Sequence, residues 1–211
     1  MKNPEIQVRR KPRQSRAILT QEALLESFVR LLHDRPADKI TIREITDLAG
    51  VGLGTFYEYF SKKQDLIALA IHKHIKHNAE HLQDYAHQLQ PQMSLYEYLT
   101  LVIQHQLEQI QDQQFLWAQT FLLERQISNI ESYRKSYSMM LNMWENILST
   151  WMDDAEPEHL KHLSVHLQRL CYGFVSQSLL ITPDFDQWDR LQQDILHSMT
   201  HLLPLKHASS Q

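Results

Sequence analysis

Between Thr41 and Leu66 the chain reads TIREITDLAGVGLGTFYEYFSKKQDL, and its polar side chains are of the types that hold phosphates or read base edges. Thr41 offers a hydroxyl, and the amides of a helix's first turn, to a phosphate. Arg43 stands in that first turn, where a guanidinium reaches a guanine edge or the backbone. Three of the chain's 4 Gly fall within five positions, at Gly50, Gly52 and Gly54. Gly50 occupies the place where a helix C-terminus takes a left-handed residue. Gly52, Leu53, Gly54 and Thr55 then form the leading end of a second short helix. Two residues without side chains let its backbone approach a ligand closely. Thr55 and Leu53 are the candidate base readers, Leu53 through a thymine methyl.

Other residues that could do chemistry are less organised. His72, His74, His77 and His81 lie close together, and His77 with His81 at i, i+4 could chelate zinc or nickel. His159, His162 and His166 repeat the spacing. No Cys accompanies the first group, for which a solvated helix face is the preferred reading; for the second it is a helix surface or a subunit contact, with no metal site and no cofactor expected. No HExxH, paired-carboxylate or Ser/His/Asp pattern is present, so the chain is not expected to be an enzyme. Aromatic and Met side chains recur at helical spacing between 115 and 174, as plain core or as the wall of a ligand cavity. The cavity reading gains from Arg134, Gln119 and the Tyr hydroxyls. Cys171 reads as a buried core thiol.

The elements that must position these residues are helices. Only 4 Gly and 7 Pro punctuate 211 residues, too few for a hairpin-rich fold. Leu24, Leu25, Phe28, Leu31 and Leu32 form one apolar face. Four capping boxes mark helix starts: Thr41 with Glu44, Ser61 with Gln64, Ser94 with Glu97, and Ser128 with Glu131. Ile45 and Leu48 are expected to face inward, with Phe56 and Phe60 as core. Pro157 suits a first helical turn. The pattern gives an all-α fold of about nine helices: a basic flexible arm over 1–18, a helix-turn-helix domain over 19–65, a helical body over 66–204 and a tail over 205–211.

Charge follows the same division. Residues 1–65 carry 12 Lys and Arg against 9 Asp and Glu, whereas 66–211 carry 9 against 16. A basic front on an acidic body points to a polyanion-binding head. No apolar run suits a bilayer or a signal peptide, and the single Cys fits a reducing compartment; a cytoplasmic location is expected, with no membrane partner.

Two short helices joined by a Gly-containing turn make a helix-turn-helix, whose second helix enters the DNA major groove. At this point the sequence resembles the tetracycline-repressor (TetR) family of bacterial transcription regulators, through I-R-E-I, A-G-V, G-T-F-Y-E-Y-F and S-K-K-Q-D-L between Ile42 and Leu66. Three positions depart from the family pattern: Pro36 where Gly is usual, Thr46 where Ala is usual, and Gly52 where Ser or Thr often caps the recognition helix. The resemblance implies that Tyr57 and Tyr59 contact phosphates, and Lys63 at the next helix start reads as a phosphate clamp. It also implies a small-molecule pocket in the body, for which the candidates are Trp117, Phe121, Arg134, Tyr137, Met140, Trp144 and Tyr172.

The last two long helices, roughly 157–181 and 185–203, are apolar enough to pair with their own copies in a four-helix bundle. The expected partners are therefore a double-stranded, near-palindromic DNA operator, a small amphipathic or hydrophobic effector that releases a repressor from it, and a second copy of the chain. Two other readings share the sequence: a DNA-bound scaffold acting through a protein partner, and a metal sensor built on the His cluster.

Overall fold

The structure, a computed structural model, describes residues 15–89, 93–152, 155–182 and 184–200. Most of the expected basic arm and all of the expected tail lie outside these residues. Among the described residues there are nine α-helices and no strand. They are α1 (Ser15–Leu32), α2 (Ile42–Leu48), α3 (Leu53–Tyr59), α4 (Lys63–Gln88), α5 (Leu95–Asp112), α6 (Gln114–Ile127), α7 (Ile130–Trp151), α8 (Pro157–Ile181) and α9 (Trp188–Thr200), with a 3₁₀ turn at Ala37–Lys39.

Two of the four capping boxes form as expected. The Thr41 hydroxyl accepts from the Glu44 amide at 3.2 Å while the Glu44 carboxylate accepts from the Thr41 amide at 2.8 Å. Ser94 and Glu97 make the same reciprocal pair, at 3.3 and 2.8 Å. The third box is out of register: α4 starts at Lys63, so its third residue is Asp65 and not Gln64. At α7 the cap moves one residue on. Asn129 Oδ1 accepts from the Ser132 amide at 2.8 Å, because two good capping residues stand side by side and the helix takes the second. Pro157 opens α8, where a missing N–H costs no helical bond.

The chain forms two compact units. The first gathers residues up to Lys76 together with 113–136, and the second gathers 77–112 with 137 onward. The division falls inside α4 and α7, and within the first unit α6 packs on α1. In the first unit α1 buries Leu24, Leu25, Phe28 and Leu32, and the neighbouring helices bury Ile45, Phe56 and Phe60. Leu48 does not join them; it is 43% exposed at the end of α2.

In the second unit α9 packs against both α5 and α8, burying Leu99, Val102, Leu167, Leu191 and Ile195. Its polar interior is satisfied locally. The Tyr98 hydroxyl donates to the Ile147 carbonyl at 3.1 Å, and the Trp144 indole N–H donates to Gln168 Oε1 at 3.2 Å. Burial pushes the Tyr98 phenol up to about 12, so it remains a donor.

Candidate nucleic-acid interface

The turn between α2 and α3 follows from one backbone requirement. Gly50 has φ +67°, the left-handed region that L side chains avoid. With it in place the Val51 amide donates to the Thr46 carbonyl at 3.0 Å and the Gly50 amide to Asp47 at 3.2 Å, the Schellman pairing that closes a helix. The chain leaves α2 sharply and re-enters helix at Leu53, two residues past Val51.

The next helix is anchored on one face and bare on the other. Phe56 is fully buried and Tyr59 nearly so, while the Phe56 ring lies 5.5 Å from Phe60. Burial of each such ring contributes on the order of 2 kcal/mol. Gly52, Leu53, Gly54 and Tyr57 are exposed and Thr55 is half-buried. Gly52 stands at the N-cap without any side chain to cap the first turn. A Cβ added at Gly52 or Gly54 would meet nothing within 4 Å. The leading end of α3 is therefore open backbone with Leu53 and Thr55 on it, and the Tyr57 ring sits edge-on to Phe56 at 5.3 Å.

Arg43 is exposed on α2, as its expected role requires. Three other residues are placed differently from expectation. Tyr59 is only 3% exposed, so its ring is core and cannot lie along a phosphate. The Thr41 hydroxyl donates its proton to Glu44 Oε2 at 2.7 Å, so it has no donor left for a phosphate. That hydrogen bond, with the one from the Thr41 amide, holds the Glu44 carboxyl below the usual carboxylate range, and Arg35 at 2.8 Å lowers it further. Lys63 turns its ammonium onto the carbonyls of Ala37 and Ile40, at 2.9 and 2.7 Å, and ties the α1–α2 connection to the start of α4. One of its three N–H donors remains. Glu58, exposed beside Tyr57, is the one acidic side chain on α3, and no spacing motif in the sequence marks it.

The seven candidate effector contacts divide between the units. In the first unit, Trp117 and Phe121 are buried with ring centroids 5.5 Å apart, and Trp117 lies 4.6 Å from His74, whereas Arg134 is exposed. In the second, Tyr137, Met140 and Tyr172 are half-buried. Trp144 has no exposed surface and its N–H is bonded to Gln168, which makes it core and not a cavity wall. A groove of about 510 Å³ in the second unit is lined by none of the seven; it runs along His166, Arg169, Gly173, Phe174 and Gln177 of α8 and meets Ser198 of α9. Its α8 positions recur at three and four residues, a periodicity visible in the sequence but assigned there to packing. No group of three or more metal-ligating side chains occurs among the described residues, and no helix there is long and apolar enough to cross a membrane.

Residues 24–70 match the family model of bacterial regulatory proteins, tetR family. No curated protein matches the sequence. Solved structures do match the fold. A TetR transcriptional regulator from Rhodococcus sp. RHA1 is 16% identical over 90% of this chain and 98% of its own, with a TM-score of 0.64. Thermus thermophilus FadR, a TetR-family transcriptional repressor in complex with lauroyl-CoA, is 16% identical over 90% of this chain and 98% of its own, with a TM-score of 0.66. FadR from Bacillus subtilis, in complex with stearoyl-CoA, is 18% identical over 88% and 98%, with a TM-score of 0.59. Residues 24–70 thus carry the tetR-family match, and over nine-tenths of its length the chain has the fold of solved TetR-family regulators, which supports a DNA-binding helix-turn-helix.

Proposed function

We propose that the protein is a homodimeric transcriptional repressor that reads a near-palindromic operator and is released from it by an amphipathic or hydrophobic small molecule. The observation that carries the DNA-reading part is the leading end of α3, bare at Gly52, Leu53 and Gly54 and fixed from behind by Phe56. In this reading Thr55 and Leu53 touch base edges, Arg43 reaches a guanine or the backbone, and Tyr57 binds a phosphate. The head spans about 19–65 and the effector-binding and dimerising body about 66–204. A lone recognition helix reads few base pairs, and two heads about 34–36 Å apart read successive major grooves. The copies pair through α8 and α9.

Effector release is a population shift: a ligand that prefers a body conformation of low operator affinity lowers binding in proportion to that preference. The acyl-CoA complexes of the two FadR relatives support an amphipathic effector. Candidate contacts are Trp117, Phe121 and Arg134 in the first unit and Tyr137, Met140 and Tyr172 in the second. Fluorescence anisotropy with the chain's own upstream DNA, and with a selected library, tests the reading. Salt-sensitive, sequence-specific binding that a long-chain acyl-CoA weakens is the expected result. Absence of any specific DNA binding overturns it; specific binding that no amphipath weakens overturns the effector part alone.

A further inference from the structure

One histidine pair among the described residues has its nitrogens facing each other. His162 and His166, one turn apart on α8, bring their Nε2 atoms to 3.1 Å, with ring centroids 4.4 Å apart. Two such nitrogens satisfy each other only if one carries a proton toward the other. With both protons on Nδ1, two lone pairs converge on one point. A borderline divalent cation binds imidazole nitrogen at about 2.0–2.1 Å, and two nitrogens 3.1 Å apart then subtend about 100° at the metal, within the range of tetrahedral and octahedral sites.

His74, His105, His77 and His81 are placed differently. His74 packs on Trp117, and His105 stacks on Tyr85 at 3.9 Å and meets Gln109 Nε2 at 3.2 Å. His77 and His81 have ring centroids 4.2 Å apart on the exposed face of α4. Within a single chain His162 is exposed and His166 half-buried at the edge of the 510 Å³ groove, which leaves a cation on the pair room for further ligands.

We propose that His162 and His166 form a two-nitrogen site for a borderline transition-metal cation such as Zn²⁺, Ni²⁺ or Cu²⁺. No third His, Cys, Asp or Glu joins them among the described residues, so water fills the remaining positions. Binding therefore is reversible, depends on neutral imidazoles and weakens as the solution is acidified. The site does not depend on the proposed operator or effector.

The test is calorimetric titration of the full, untagged chain with Ni²⁺ at about pH 7.5 and again at about pH 5.5. The wild type, the double variant His162→Gln/His166→Gln and the comparator His77→Gln/His81→Gln are measured alongside one another. The single variant His162→Gln, at an exposed position, replaces the double variant if circular dichroism shows that one to be unfolded. The expected result is one class of sites that the α8 variants weaken by roughly 10–100-fold or more and that the α4 comparator keeps. Equal binding by wild type and α8 variants, or loss of the class only in the α4 comparator, overturns the proposal.

Discussion

Replacing Lys63 with Met separates a structural role from a phosphate-binding one. The ammonium makes two charge-assisted hydrogen bonds, to Ala37 O at 2.9 Å and Ile40 O at 2.7 Å, and each such bond contributes roughly 1.5–3 kcal/mol where water is excluded. Lys63 is only half-buried, so water takes over part of the lost bonding. Met retains the apolar stem. The expected cost is therefore about 2 kcal/mol, which at a urea dependence of about 2 kcal/mol/M lowers the midpoint by about 1 M. Operator affinity is measured in parallel as a function of salt, where each lost phosphate contact flattens the slope of log K against log salt by about 0.9. The structure predicts a shifted urea midpoint with an almost unchanged slope. An unchanged midpoint with a slope flatter by about 0.9 per head would refute the loop-tie argument and restore Lys63 as a clamp.

The two tyrosines of α3 behave oppositely. Tyr57→Ala leaves stability within about 0.5 kcal/mol and weakens binding to all DNA sequences alike, whereas Tyr59→Ala, at 3% exposure, costs about 3 kcal/mol of folding stability; urea unfolding and anisotropy on both variants read this directly. Gly50→Ala destabilises the head by about 1–2 kcal/mol because φ is +67°, and a denaturation midpoint equal to wild type would contradict the strained turn. Burial pushes the Cys171 thiol up to about 12, so a thiol reagent at neutral pH leaves it unmodified until the chain is unfolded, as a timed colorimetric assay shows.

What the sequence shows and what it hides divide along the range of the forces involved. The α2 cap, the Gly50 turn and the Pro157 start depend on neighbours within a few residues, and all three form where the residue types place them. The α7 start falls one residue beyond Ser128 because Ser128 and Asn129 are both competent caps and residue type alone does not choose between them. Leu48, Tyr59 and Lys63 share a cause of a different kind. Each side chain's direction depends on how far its helix is rotated against another, which no local pattern records. The same holds for α6, which joins the unit of α1 across about ninety residues of chain, a pairing that no local pattern records.

The bareness of α3's first turn also bears on how this regulator can change over time. A seven-residue helix is not stable by itself, and this one is held by Phe56 and Tyr59, behind the surface proposed to meet DNA. Gly52 and Gly54 face open space, and Leu53 contributes nothing to the core. In the proposed mode of reading, mutations at these three positions therefore add or remove reading groups with little penalty to folding. Operator preference can drift through a series of well-folded intermediates, one side chain at a time, and the head is a platform on which new DNA specificities can be selected without rebuilding the protein beneath them.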